Sequence, residues 1–274
     1  VIVDAHHHVW RIARGDYGWL QPGSPIHRDY GLEDLRPLLG DVTATILVQA
    51  AATEAETAFM LETAAGSSGL VRGVVGWTDL ADSDAPDHIH ALATNGLLVG
   101  LRPMLQDIAD TEWILCSAVQ PALKAMETAG LTLDLLIQPR HLPFVPELAQ
   151  RHPDLRMVID HGAKPAIAER SLLPWAEHMR RVASDTGVFC KLSGLVTEAR
   201  PDWKQDDLRL YVDHLLQCFG PDRLMWGSDW PVVDLAGGFT RWRETALALV
   251  PNDMHGLVFG QTASSFYGFG HVRG

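Results

Sequence analysis

Short apolar runs, bounded by glycine, proline or polar clusters, recur along the whole chain at residues 2–9, 44–49, 71–78, 97–102, 132–138, 156–161, 188–193 and 223–228. Each reads as a strand. Between most of them lie segments with apolar residues at helical spacing, at 54–65, 118–129, 174–184, 206–219 and 240–250. Strands that alternate with helices pair in parallel, because a parallel connection needs a crossover. Eight such units predict a (β/α)8 TIM barrel. An open doubly wound sheet is the competitor, but the turn after Val9 lacks the Gly-x-Gly-x-x-Gly fingerprint such sheets carry when they bind dinucleotides. At 274 residues, with no Pro-rich or Gly/Ser-rich linker, the chain reads as one domain spanning 1–274.

A barrel concentrates its chemistry at the C-terminal ends of its strands, so the polar residues that end these runs decide the reading. Strand side chains alternate between faces. In the first run His6 and His8 therefore share a face and His7 points away. Two imidazoles on one face can hold a transition-metal ion, or they can hydrogen-bond within a polar core. In the sixth run alternation puts Ile159 and His161 together and Asp160 opposite. His161 then serves as a ligand, a general acid or base, or a helix cap. The eighth run delivers Asp229 to the mouth, where a carboxylate binds an ion, takes a proton from water, or caps a helix.

Other run ends complete a polar ring. Arg102 closes the fourth run and can fork onto a carbonyl or carboxylate, or form a salt bridge. Gln49 and Gln138 close the second and fifth and are candidates for substrate contact. Lys191 shares a face with Phe189 and Ser193, either toward substrate or as a buried cation. Trp19, Trp77, Trp203 and Trp230 can wall a sugar site or simply fill the core. Residues 82–87 read as a solvated acidic loop, with His88 and His90 lacking a visible partner.

Composition narrows the classes. A formal net charge of −12 leaves no basic stripe for nucleic acid. No apolar run approaches the ~18 residues of a membrane span. Three cysteines without paired spacing fit a reducing compartment. No basic stretch followed by a long apolar run opens the chain, which favours the cytoplasm.

Four motifs then stand out in order: Asp-Ala-His-His-His-Val-Trp (4–10), Asp-His-Gly-Ala-Lys-Pro (160–165), Cys-Lys-Leu-Ser-Gly-Leu-Val-Thr-Glu-Ala (190–199) and Trp-Gly-Ser-Asp-Trp-Pro (226–231). Together they resemble one branch of the amidohydrolase superfamily, the branch of L-fuconolactonases, L-rhamnonolactonases and the lactonases of aromatic-ring breakdown. Leu105-Gln106-Asp107 and Asp16-Tyr17-Gly18-Trp19-Leu20 resemble the fuconolactonase type. The resemblance implies a hydrolase of carbohydrate catabolism that opens a small sugar lactone. His6, His8, His161 and Asp229 would form the site, and Arg102 would hold the substrate carbonyl. It implies one divalent ion, zinc or manganese, or none. The wider superfamily often carries a metal-bridging Lys or Glu on strand four and a His on strand five, where this chain has Arg102 and Gln138, so a two-metal centre is not expected. Pro103 stands where the fuconolactonase pattern carries a His, which points toward a relative with another lactone.

On this reading Asp229 is the general base, His161 orients the water or carbonyl, and Gln49, Gln138, Lys191, Trp19 and Trp230 line the substrate. The competing readings are a metal-dependent decarboxylase of the same superfamily and a barrel that binds a sugar acid without turnover. A homo-oligomer is compatible with all three.

Overall fold

In the computed structural model, which describes residues 1–269, eight strands lie side by side in chain order. They are β1 (Val3–His7), β2 (Ala44–Val48), β3 (Val71–Gly76), β4 (Leu98–Leu101), β5 (Thr132–Leu135), β6 (Met157–Ile159), β7 (Phe189–Leu192) and β8 (Leu224–Trp226). Every neighbouring pair is parallel. The ring closes where the segment after β8 meets β1: the amide of His8 donates to the carbonyl of Trp230 at 2.7 Å, and that of Asp229 to the carbonyl of His6 at 2.8 Å. The chain folds as the (β/α)8 barrel its apolar runs predict.

The crossovers carry α1 (Leu32–Leu35), α2 (Glu54–Ala65), α3 (Ala85–Leu92), α4 (Gln120–Ala129), α5 (Val145–Arg151), α6 (Trp175–Asp185) and α7 (Gln205–Phe219), and α8 (Phe239–Leu249) and α9 (Thr262–Phe266) follow β8. Local chemistry sets their ends. Thr53 caps α2 by accepting from the amide of Glu56 at 3.1 Å, and Gly130, at φ 71°, ends α4 in the left-handed region. One expectation fails here. Residues 85–87, expected in a solvated loop, instead open α3, because Pro86 suits a first helical turn and Ala85 and Ile89 bury one face. His88 also has a neighbour, with its Nδ1 3.7 Å from Oε1 of Glu54.

The strands are shorter than the apolar runs, since the last residues of several runs leave the ladder to form the mouth. At the other end Phe266 packs on Phe189, the first residue of β7, with ring centroids 4.8 Å apart. The C-terminal helix therefore closes the N-terminal ends of the strands. Among the described residues, no helix is long and apolar enough to cross a membrane.

Candidate active site

Four side chains from three strand ends converge at the mouth. Nε2 of His6 and Nε2 of His8 are 3.2 Å apart. Oδ1 of Asp229 lies 3.2 Å from Nε2 of His8 and 3.8 Å from Nε2 of both His6 and His161. All four residues are at least 96% buried, so these groups interact with little screening by water. They open onto a cleft of about 170 Å³ lined by His8, Trp19, Ala50, Arg102, Met104, Gln106, Asp107, Leu136, His161, Lys164, Asp229 and Val232. A wider groove of about 930 Å³ runs past Pro143, Arg156, Arg181 and Phe189. It contains none of this cluster.

Backbone geometry aims the ligands. His161 and Asp229 sit in the left-handed region, at φ 54° and 57°, which non-glycine residues seldom occupy outside functional turns. That turn overrides strand alternation after β6. Asp160 was expected opposite His161, yet both point to the site region, and Asp160 Oδ2 accepts from Nη1 of Arg102 at 3.0 Å. Gly194, at φ 60°, makes room for His161: a Cβ there would lie 2.5 Å from its Nδ1.

Hydrogen-bond partners fix much of the protonation. Nδ1 of His8 lies 2.8 Å from the carbonyl of Val48. A carbonyl only accepts, so Nδ1 donates and Nε2 is turned toward Asp229. Nδ1 of His161 pairs with the hydroxyl of Ser193 at 2.9 Å. Nδ1 of His6 meets two groups, the Lys191 ammonium at 3.1 Å and Oδ1 of Asp160 at 3.5 Å. Burial pushes the pKa of His161 down to about 4 and that of His6 well below its usual range. Burial alone would raise Asp229, but His161 and His8 outweigh it and hold the carboxyl below its ordinary value. His6 and His161 are therefore neutral imidazoles beside an ionised Asp229 at neutral pH.

Such a set fits one cation. One ligand atom each from His6, His161 and Asp229 lies within 4.8 Å of the others, and Nε2 of His8 lies 3.2 Å from Oδ1 of Asp229. Neutral imidazoles and a carboxylate are the donor set of a divalent site. The guanidinium of Arg102, with Nη1 3.3 Å from Nε2 of His6, stands where strand four would have to contribute a second bridging ligand.

The remaining expected contacts divide. Arg102 lines the cleft and is braced by Asp160 and by the backbone carbonyl of Gln49. Its Nε is buried without a partner among the described residues. Trp19 also lines the cleft, with its indole N–H donating to the carbonyl of Ala50 at 2.6 Å. Four others do not reach it. Lys191 is wholly buried between Asp134 (2.5 Å) and Asp160 (3.0 Å), because two interior carboxylates demand a counter-charge. Gln49 is buried and donates to the carbonyl of Arg102 at 2.8 Å. Trp230 is buried edge-on to Tyr30. Gln138 lies on the exposed rim and accepts from Nε of Arg140 at 3.3 Å. Trp203 is also core. The sequence reading missed Asp160, Lys164, Gln106 and Asp107 as parts of the site region. Gly162 directly after His161 was the one local sign that the strand turns there.

The amidohydrolase family profile matches residues 3–269. A protein from Burkholderia ambifaria named L-fucono-1,5-lactonase is 43% identical, across 97% of this chain and 94% of its own length. One of the same name from Burkholderia multivorans is 36% identical, over 97% and 95%. The crystal structure of a Burkholderia multivorans amidohydrolase with bound zinc superposes with a TM-score of 0.90 at 34% identity, covering 98% of this chain and 100% of that one. With its barrel, its paired histidines at the end of β1 and its aspartate after β8, the chain belongs to the amidohydrolase family.

Proposed function

We propose that this chain hydrolyses the ring ester of a small, uncharged sugar lactone, with Asp229 as the base that activates water. The observation that carries the reading is the ionised Asp229 within 3.8 Å of the imidazoles of His6, His8 and His161, facing Arg102 across a cleft of about 170 Å³. At about 30 Å³ per water, that volume corresponds to roughly five or six waters, room for a single ring. The lining balances two cationic side chains, Arg102 and Lys164, against two anionic ones, Asp107 and Asp229. Arg102 is already paired with Asp160, and Nζ of Lys164 lies 4.0 Å from Glu198. Little cationic capacity is left for the carboxylates of an aromatic-pathway lactone, which favours a neutral polyol. The two lactonases among the relatives support the same class.

The chemistry follows from the geometry. As a water oxygen attacks the carbonyl carbon, Asp229 takes the proton that oxygen releases. The guanidinium of Arg102, which lines the cleft, donates to the carbonyl oxygen as its charge grows. His161, held through Nδ1 by Ser193, orients the water with Nε2. When the ring C–O bond breaks, Asp229 returns its proton to the departing oxygen, leaving an open-chain hydroxy acid. One divalent ion, zinc or manganese, which His6, His8 and Asp229 would hold, supplies Lewis-acid polarisation when bound. A cytoplasmic setting belongs to the same proposal, supported by Cys116, Cys190 and Cys218 all being unpaired.

The test is proton release from aldono-lactones and pyrone dicarboxylates, using chelator-treated protein with and without zinc or manganese. Hydrolysis of an aldono-lactone is the expected result, and its metal response decides whether the histidines act as ligands. Silence on every lactone, with release of carbon dioxide from an aromatic carboxylate, would replace the reading with decarboxylation.

A further inference from the structure

Two of the sequence motifs carry charged residues that the proposed chemistry leaves unused: Lys164 in the segment 160–165 and Glu198 in the segment 190–199. The fold brings them face to face, with Nζ of Lys164 4.0 Å from Oε1 of Glu198. That is too long for a hydrogen bond, so the two charges attract while their facing donor and acceptor stay open. The side chains keep 25% and 29% of their surface exposed, so a molecule in solution reaches both. Lys164 lines the catalytic cleft with His161 and Asp229, and together with Glu198 it lines an adjoining groove of about 510 Å³. Burial raises the carboxyl of Glu198, Lys164 lowers it, and Asp229 raises it further. The pair and the reacting carboxylate thus share one field.

The backbone fixes where both side chains start. The amide of Lys164 donates to the carbonyl of His161 at 2.9 Å, and Lys164 itself sits at φ 52°, so the turn that aims His161 also aims Lys164. The amide of Ala168 donates to the carbonyl of Glu198 at 2.9 Å, tying the loop after β6 to the loop after β7. Two hydrogen bonds of ~2.8 Å span up to about 5.6 Å, so one oxygen fits between atoms 4.0 Å apart. A hydroxyl suits that gap, because it accepts from the ammonium and donates to the carboxylate. Glu198 repels a carboxylate there, and Lys164 repels an ammonium. The pair therefore selects a neutral group that both donates and accepts.

We infer that Lys164 and Glu198 form a specificity-determining pair that clasps one hydroxyl of the lactone, so that the chain distinguishes hydroxylated lactones from bare ones. The inference rests on the lactonase reading above. Against burial, Lys164 also joins His161 and His8 in lowering the carboxyl of Asp229, an effect that acts on the turnover of every lactone alike. The ratio of kcat/KM between a hydroxylated and a bare lactone cancels that shared effect and isolates the clasp.

The test measures that ratio for L-fucono-1,5-lactone over the unsubstituted δ-valerolactone, which has the same ring size. It compares the unaltered protein with Lys164→Met, Glu198→Ala and the double variant. Thermal melting shows which variants are folded, and a single variant that fails to fold leaves the other to decide. The expected result is a ratio about 10-fold lower in each single variant, the scale of one hydrogen bond exchanged with water. The double variant should fall little further, because one hydroxyl is at stake. An unchanged ratio in a folded single variant, or a double loss equal to the product of the single ones, overturns the clasp and leaves the lactonase reading standing. So does a preference of the unaltered protein for δ-valerolactone. Its failure to open either lactone sinks that reading and this inference together.

Discussion

The Lys191 ammonium lies 3.1 Å from Nδ1 of His6, joining a wholly buried charge network to the mouth of the barrel. Lys191 also touches Asp134 at 2.5 Å and Asp160 at 3.0 Å, and the hydroxyl of Tyr267 donates to Asp134 at 2.8 Å. The ammonium donates to Asp134 and to Nδ1 of His6, and it faces Asp160 as an ion pair. His6 is therefore held from below by groups that never meet solvent.

Replacing Lys191 by Met should be costly for this reason. It leaves Asp134 and Asp160 without their shared counter-charge, and removing one partner of a buried ionic cluster costs about 3–5 kcal/mol. Urea unfolding at neutral pH measures it. A loss below about 1 kcal/mol would show that the network relaxes or takes up protons at little cost.

Asp229→Asn tests the proposed base. The amide keeps the shape of the carboxylate but cannot accept the water's proton, so kcat should fall by about 100-fold or more with the melting temperature little changed. Near-native turnover would assign proton transfer to another group.

Gly194→Ala should act on catalysis through His161. At φ 60° a Cβ is strained, by roughly 1–2 kcal/mol, and it would meet Nδ1 of His161 at 2.5 Å. Displacing that ring breaks its contact with Ser193, and misplacement by about 1 Å is worth up to 100-fold in rate. We expect kcat to drop about 10- to 100-fold. Gly187→Ala, where nothing lies within 4 Å, serves as the neutral control.

Stability should carry a pH signature from Glu56. Burial raises its pKa from 4.5 to about 7, although the amides of Ala51 and Ala50 oppose the shift by donating to its carboxylate. A raised folded-state pKa means that the folded protein holds the proton more tightly than the unfolded chain. The stabilising contribution is complete below about pH 4.5 and is lost as pH rises through about 7. At 1.36 kcal/mol per pH unit it amounts to about 3 kcal/mol. Denaturation of the unaltered protein and of Glu56→Gln across pH 5–8 measures the difference. Parallel stability curves for the two would remove Glu56 from the account.

Much of this molecule could be read along the chain. Eight apolar runs sit where eight strands form, because burial on both faces of a parallel strand demands a continuous apolar stretch. Period-two alternation put His6 and His8 on one face, and the apolar run ending at residue 228 delivered Asp229 to the mouth. These are local facts, set by the geometry of a strand within a few residues. Tertiary structure decided the rest. Asp160 joined the site region only because His161 takes a positive φ, which alternation cannot foresee. Lys191 left the substrate list because its partners, Asp134 and Asp160, are brought to it by strands β5 and β6. Lys164 and Glu198 met only when the loops after β6 and β7 came together. Charge pairing, hydrogen-bond satisfaction and cleft shape belong to groups far apart in sequence, so only the closed barrel could settle them.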